Sequence, residues 1–134
     1  MKNCVAKLEK NEDKKIKRWN LISEAASKQS KRNFIPIVNE KITMNELYSK
    51  IKEYNLVIVA YENENKVSLK DILKENEDAK KIAIVIGPEG GFTENEISNL
   101  LKNNAKIVSL GKRILRTETA SLALLSMIIY EYEL

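Results

Sequence analysis

The residues of this chain best suited to chemistry sit in two glycine-bearing segments of its last third. The first is Ile86-Gly87-Pro88-Glu89-Gly90-Gly91-Phe92-Thr93, and the second runs Leu110-Gly111-Lys112-Arg113-Ile114-Leu115-Arg116-Thr117-Glu118-Thr119-Ala120. Gly87, Gly90 and Gly91 let backbone approach a ligand closely, because no side chain stands in the way. Pro88 stiffens that turn and Phe92 anchors it. In the second segment Gly111 permits a bend, and Ile114 and Leu115 offer apolar walls for a flat ring. Arg113 and Arg116 suit an anion. Glu118, Thr117 and Thr119 are either helix caps or ligand contacts, since a carboxylate at a helix start is favoured by the dipole in any case.

Each segment follows a short apolar run and opens a helix. Both turns therefore fall at the carboxyl ends of strands, where open α/β sheets bind ligands. The first turn does not fit the G-x-G-x-x-G dinucleotide fingerprint, and it lacks the Lys-Ser/Thr end of a phosphate loop. The chain has no His and a single Cys, Cys4. That composition argues against a zinc site and an internal disulfide. It also removes the commonest general base, leaving proton transfer to Glu, Asp, Lys, Tyr, backbone or the substrate itself.

The elements that must position these turns are legible as alternating strands and helices. Leu56–Ala60 is a continuous apolar, β-branched run of the kind covered on both faces, Ile82–Ile86 reads as a second buried strand, and Lys106–Leu110 as a further strand. Thr43–Glu46 and Thr93–Glu96 have capping-box spacing. The first predicts a helix to about Tyr54 with Leu47 and Ile51 inward. The second predicts a helix presenting Ile97, Leu100 and Leu101. Ser68 caps a short helix carrying Leu69, Ile72 and Leu73. A helix from Asp13 to about Gln29 places Ile16, Trp19, Ile22 and Ala26 at helical spacing. A last helix from Thr117 to about Glu131 carries Leu122, Leu125, Ile128 and Ile129. Val5–Leu8 suits a short strand or the tail of a preceding segment, and Phe34–Val38, interrupted by Pro36, suits an edge strand or extended loop. The alternation predicts an α/β fold with a mostly parallel sheet flanked by helices.

The 134 residues suit one domain. With 43% hydrophobic and 31% charged residues, the composition is that of a globular protein. No run is apolar enough to span a membrane, and Met1-Lys2-Asn3 leads into mixed charge rather than an apolar leader, so the expected location is the cytoplasm. Residues 1–32 hold ten Lys/Arg against four Asp/Glu, a local excess of +6, while the remainder is nearly balanced. Lys14, Lys15, Lys17 and Arg18, with Arg32, are candidate nucleic-acid contacts; a solvated helix face accounts for the same pattern.

The paired motifs Gly-Pro-Glu-Gly-Gly-Phe at 87–92 and Leu-Gly-x-Arg-Ile-Leu-Arg-x-Glu-Thr-Ala at 110–120 closely resemble those of the RsmE-type small-subunit ribosomal RNA methyltransferases, of the knotted SPOUT class. Trp19 to Pro36, with Ala25-Ala26, Gln29, Arg32-Asn33 and Pro36, is similar to that family's first helix and following motif. The resemblance implies an S-adenosylmethionine-dependent enzyme that methylates N3 of a uridine in 16S ribosomal RNA. It also implies a carboxyl-terminal trefoil knot and a homodimer, with no metal and no membrane. The family's N-terminal β-barrel, which helps hold RNA, has no counterpart, so the expectation is a single methyltransferase domain over residues 1–134. Carried over residue by residue, Gly87, Glu89, Gly90 and Gly91 lie beside the methionine or ribose part of the cofactor. Leu110, Gly111, Ile114 and Leu115 take adenine. Arg116, Glu118, Thr119 and Ala120 complete that loop, and Tyr61 and Glu62 form another edge of the pocket.

Methyl transfer to uracil N3 needs in-line alignment and loss of a weakly acidic proton, which a nearby cation assists. Arg32 and Arg116 are the candidates for that electrostatic role, and Glu89 or Glu118 for accepting the proton. Two other readings compete: a non-catalytic RNA-binding module that retains the pocket, and a nucleotide-binding enzyme of ordinary doubly wound topology.

Overall fold

The computed structural model describes residues 12–61, 67–111 and 113–133. By packing they fall into two compact units, residues 12–42 and residues 43–133. The predicted strand at Val5–Leu8 lies outside the described residues.

The larger unit is built on three parallel strands, β1 (Leu56–Ala60), β2 (Ile82–Ile86) and β3 (Lys106–Val108), in the order β2-β1-β3. The register pairs Ala60 with both Ile86 and Val108, so all three strands end together. Side chains alternate across the sheet, as the pleat requires. Val57, Val59, Val85 and Ile107 pack on one face with Ile51, Phe92 and Leu100. Leu56, Ile58 and Val108 pack on the other with Leu69, Ile72, Leu73, Leu124 and Ile128. Helices α2 (Met44–Lys50) and α4 (Glu94–Lys102) cover the first face; α3 (Leu69–Glu75) and α5 (Thr117–Glu133) cover the second. β1 and β2 are joined through α3, and β2 and β3 through α4, on opposite faces. That is the arrangement right-handed crossovers demand when the path reverses along the sheet.

Local signals set the helix starts. Thr43 and Thr93 each form a complete capping box with Glu46 and Glu96, and the Ser68 hydroxyl accepts from the Asp71 amide at 3.2 Å. α2 stops at Lys50 and tightens into a 3₁₀ turn, Ile51–Glu53, so the predicted helix to Tyr54 is two pieces. β3 ends at Val108, two residues short of its predicted limit; Ser109 forms an isolated bridge with Ser68 instead. Tyr132 donates to the Asn76 carbonyl at 2.7 Å and ties α5 to the end of α3. Burial, then Glu131 and Glu77, hold its phenol above the ordinary range, so the donor keeps its proton.

Several apolar helix positions singled out from the sequence face out, Trp19 and Ile22 of the first helix among them. Leu101, Leu122 and Leu125 are exposed, while Leu100, Leu124 and Ile128 are buried. α5 is apolar around much of its circumference, so spacing alone does not select its inward face.

In the smaller unit, α1 (Glu12–Gln29) ends in a Schellman motif. Lys31 takes a left-handed φ of 59°, Lys31 N–H donates to Lys28 O at 3.3 Å, and Arg32 N–H donates to Ser27 O at 3.0 Å. The chain then runs back along α1 as an extended loop over Phe34–Val38, not a strand.

Thr93→Ala removes the hydroxyl that accepts from the Glu96 amide. It is expected to lower stability by about 1 kcal/mol in thermal or urea unfolding, whereas an unchanged midpoint would mean that α4 does not depend on its cap.

Candidate functional site

The common end of the three strands carries a cavity of about 270 Å³. Its wall begins at Ala60 and Tyr61 after β1, continues through Ile86 to Phe92 after β2, and closes with Ser109 to Gly111 and Arg113 to Leu115 after β3, plus Thr117 and Ala120 from α5. Parallel register brings the turns together: β2 and β3 flank β1, so their following loops face each other across its end.

The first loop is braced from below. An added Cβ at Gly87 would lie 2.9 Å from Cε2 of the Phe92 ring. That ring is buried and meets Tyr61 edge-on at a centroid distance of 6.4 Å. Glycine is required here by close approach. At Gly91 the requirement is conformational: its φ is 74°, while nothing lies within 4 Å of an added Cβ. Gly91 N–H donates to Pro88 O at 2.9 Å and closes the turn. In the second loop Gly111 has a φ of 119°, and its amide donates to the Ser109 hydroxyl at 3.2 Å. The loops are joined where the Thr117 hydroxyl donates to the Gly87 carbonyl at 3.3 Å.

Among the predicted site residues, Tyr61, Gly87, Glu89, Gly90, Gly91, Leu110, Gly111, Ile114, Leu115 and Ala120 line this one cavity. Arg116, Glu118 and Thr119 do not; they are exposed around the first turn of α5, whose buried residue there is Ala120. The Arg116 carbonyl accepts from the Ala120 amide at 2.7 Å. Glu62 lies outside the described residues. Arg32, Lys14, Lys15, Lys17 and Arg18 belong to the smaller unit. Lys14, Lys17, Arg18 and Arg32 are exposed there and Lys15 is half-buried.

Sequence reasoning gave no ligand role to Ala60, Ile86, Pro88 or Ser109, offered Arg113 for an anion, and left Thr117 between cap and ligand contact; all six line the wall. Ala60, Ile86 and Ser109 are found by position, as the last residues of strands or the first beyond them. Thr117 shows no signal of this kind, because its partner is thirty residues away. Chemically, the site offers apolar surface from Leu110, Ile114 and Leu115 together with the backbone of two glycine turns. Glu89 is the carboxylate and Arg113 the cation among the described lining residues. Among the described residues, no group of His, Cys, Asp and Glu is placed to hold a metal ion.

Residues 1–129 match the family described as RNA methyltransferase domain. The chain belongs to that family. It is 38% identical over 135 residues to ribosomal RNA small subunit methyltransferase E of Bacillus subtilis, covering 97% of this chain and 53% of the relative. The enzyme of the same name from Mesomycoplasma hyopneumoniae is 36% identical, at 96% and 54% coverage. The chain thus spans about half the length of these curated relatives. Among solved structures, ribosomal RNA small subunit methyltransferase E of Neisseria gonorrhoeae, bound to S-adenosyl methionine, superposes with a TM-score of 0.83 at 33% identity, covering 95% of this chain and 52% of that one. A putative methyltransferase from Legionella pneumophila, in complex with the bound cofactor SAM, gives 0.86 at 29% identity, with coverages of 97% and 52%.

Gly87→Ala should push against the buried Phe92 ring and force it or the turn to shift, with an expected loss of about 1–3 kcal/mol in denaturant unfolding. Combined with Phe92→Leu, the loss should fall short of the sum of the two single losses; strict additivity would show that the ring does not limit the turn.

Proposed function

We propose that the chain is the methyltransferase part of an enzyme that uses S-adenosylmethionine to methylate N3 of a uridine in 16S ribosomal RNA. The observation that carries the reading is the convergence of both glycine turns on one cavity at the strand ends, in a chain whose relatives are ribosomal RNA methyltransferases. The lining fits the cofactor. Leu110, Ile114 and Leu115 supply apolar wall for a purine. The glycine turns bring backbone donors and acceptors to a ribose or amino-acid part, and Glu89 and Arg113 supply one charge of each sign. When bound, S-adenosylmethionine supplies an electrophilic methyl carbon.

The protein's own part is to position and to stabilise charge. Thr117 holds the first loop against the start of α5, which fixes the shape of the cavity. Arg116 is exposed, lies in the chain between the lining residues Leu115 and Thr117, and is not part of the wall. That favours a role toward the incoming uracil, whose N3 becomes anionic as its proton leaves, over a role in holding the cofactor. Of the two carboxylates considered for accepting the proton, Glu89 lines the cavity and Glu118 does not, which favours Glu89.

The same reading includes a trefoil knot, a homodimer and a cytoplasmic location, with both compact units serving one SPOUT-type domain. The knot is supported by the path of the chain: β3 lies across β1 from β2, yet the segment after β3 reaches Gly87 beyond the end of β2. Dimerisation is supported by Leu122, Leu125 and Met127, which stay exposed on α5. The basic residues of α1 suit the phosphates of RNA. No described helix is long and apolar enough to cross a membrane.

The cofactor reading is tested by thermal shift. S-adenosylmethionine at about a hundredfold excess over its Kd should stabilise the protein by about 2.7 kcal/mol, and ATP should not; selective stabilisation by ATP would point to a nucleotide-binding enzyme instead. For the reaction, Arg116→Ala should lower methyl transfer to ribosomal RNA by about 100-fold or more while calorimetry records a near-native cofactor affinity. Modified nucleosides from the reaction, resolved by mass spectrometry, should contain 3-methyluridine; methylation of another base or position would remove the uridine assignment.

A further inference from the structure

The extended loop of the smaller unit is mounted with more care than a connector needs. Asn20 clasps Val38 by both backbone groups: its Nδ2 donates to the Val38 carbonyl at 2.9 Å, and the Val38 amide donates to Oδ1 at 2.7 Å. One turn further along α1, the Ser23 hydroxyl donates to the Pro36 carbonyl at 2.6 Å. Lys41 pairs with Glu12 beyond the clasp. Pro36 removes further freedom by fixing its own φ. A loop held at three points along one helix keeps its unheld side in a constant orientation.

Among the exposed apolar residues of this loop, Phe34 is the one with an aromatic face and a cation beside it. Phe34 is 63% exposed, and the Arg32 guanidinium carbon lies 4.8 Å from its ring centroid. The Schellman turn at Lys31 sets Arg32, and through it the stack, at the end of α1. Among the described residues no carboxylate pairs with Arg32. A guanidinium over a ring is attractive by about 0.5–1 kcal/mol at exposed sites, which is enough to orient both groups.

We infer that Phe34, oriented by Arg32, is a stacking platform for an unpaired base of single-stranded RNA. Unpaired bases are recognised by stacking on aromatic rings and guanidinium planes, beside basic side chains that follow the phosphates. All three requirements meet in this unit: an open ring, a guanidinium beside it, and the exposed Lys14, Lys17 and Arg18 on the helix to which the loop is clamped. A duplex would not use the platform, because its bases are already stacked on one another. The inference rests on the RNA reading above and names the residue that would take the base.

The test is fluorescence anisotropy with a labelled single-stranded oligouridine and with a duplex of equal charge. Phe34→Leu keeps apolar bulk without a π face and should weaken single-strand binding by about 5- to 100-fold, with the duplex affected little and the salt slope unchanged, because no phosphate contact is removed. Phe34→Trp should restore binding, and its indole should be quenched by the oligonucleotide beyond any quenching of the native Trp19. The platform is overturned if the leucine variant binds single strands like the parent, if it loses duplex equally, or if sedimentation shows that the ring instead holds two copies together. Cofactor affinity, measured in parallel, separates the outcomes: native affinity with no RNA binding sinks the platform alone, and lost affinity in the parent protein sinks the methyltransferase reading.

Discussion

The site depends on β1 being the middle strand. Leu56, Val57, Ile58 and Val59 are all nearly inaccessible, each within 3% of full burial, and they alternate between two separate cores. At about 1.5–3 kcal/mol for each fully buried aliphatic side chain, this strand alone secures much of the unit. Its register with β2 and β3 is fixed by that burial, since a slip of one residue would exchange the two faces. With the register fixed, Ala60, Ile86 and Val108 stand side by side, and the chain has no choice but to make its next three turns at one place.

What keeps those turns open as a cavity, instead of collapsing onto the strand ends, is a brace beneath and a tie across. Phe92 fills the space under Gly87, and Tyr61 meets Phe92 at its edge, so the first loop rests on aromatic rings that belong to the core. Thr117 draws the second segment to the same backbone carbonyl. Neither contact uses a charged group. Glu89 and Arg113 line the cavity without taking part in either contact, so the scaffold holds the site without consuming its charged groups.

How much of this could be read from the sequence follows the range of each interaction. Capping boxes at Thr43 and Thr93 act over three residues and were legible, as was the Ser68 cap. β1 was legible because a strand buried on both faces admits only apolar residues. A place in the pocket for Arg116, Glu118 and Thr119 was an expectation from their motif; one helical turn distributes neighbours around the whole circumference, and of positions 116–119 it is Thr117 that lines the cavity. The Thr117–Gly87 bond joins loops thirty residues apart, and only the sheet order determines that they meet.

α5 shows the same limit in a more useful form. Its sequence is apolar on too many sides for one core, and the fold uses Ala120, Leu124 and Ile128 while leaving Leu122, Leu125 and Met127 at the surface. A helix that packs on a single sheet face needs only one apolar stripe. Leu122 and Leu125, one turn apart, lie off that buried face, while Met127 lies on its other side; two leucines from one helix are too few to specify a stable interface by themselves. Joined to a matching pair from a second copy across a two-fold axis, each residue is counted twice and the surface becomes self-complementary. The excess apolarity of α5 thus fits the proposed homodimer better than it fits an isolated protomer, and the helix whose start closes the cavity would then be the helix that the two copies share.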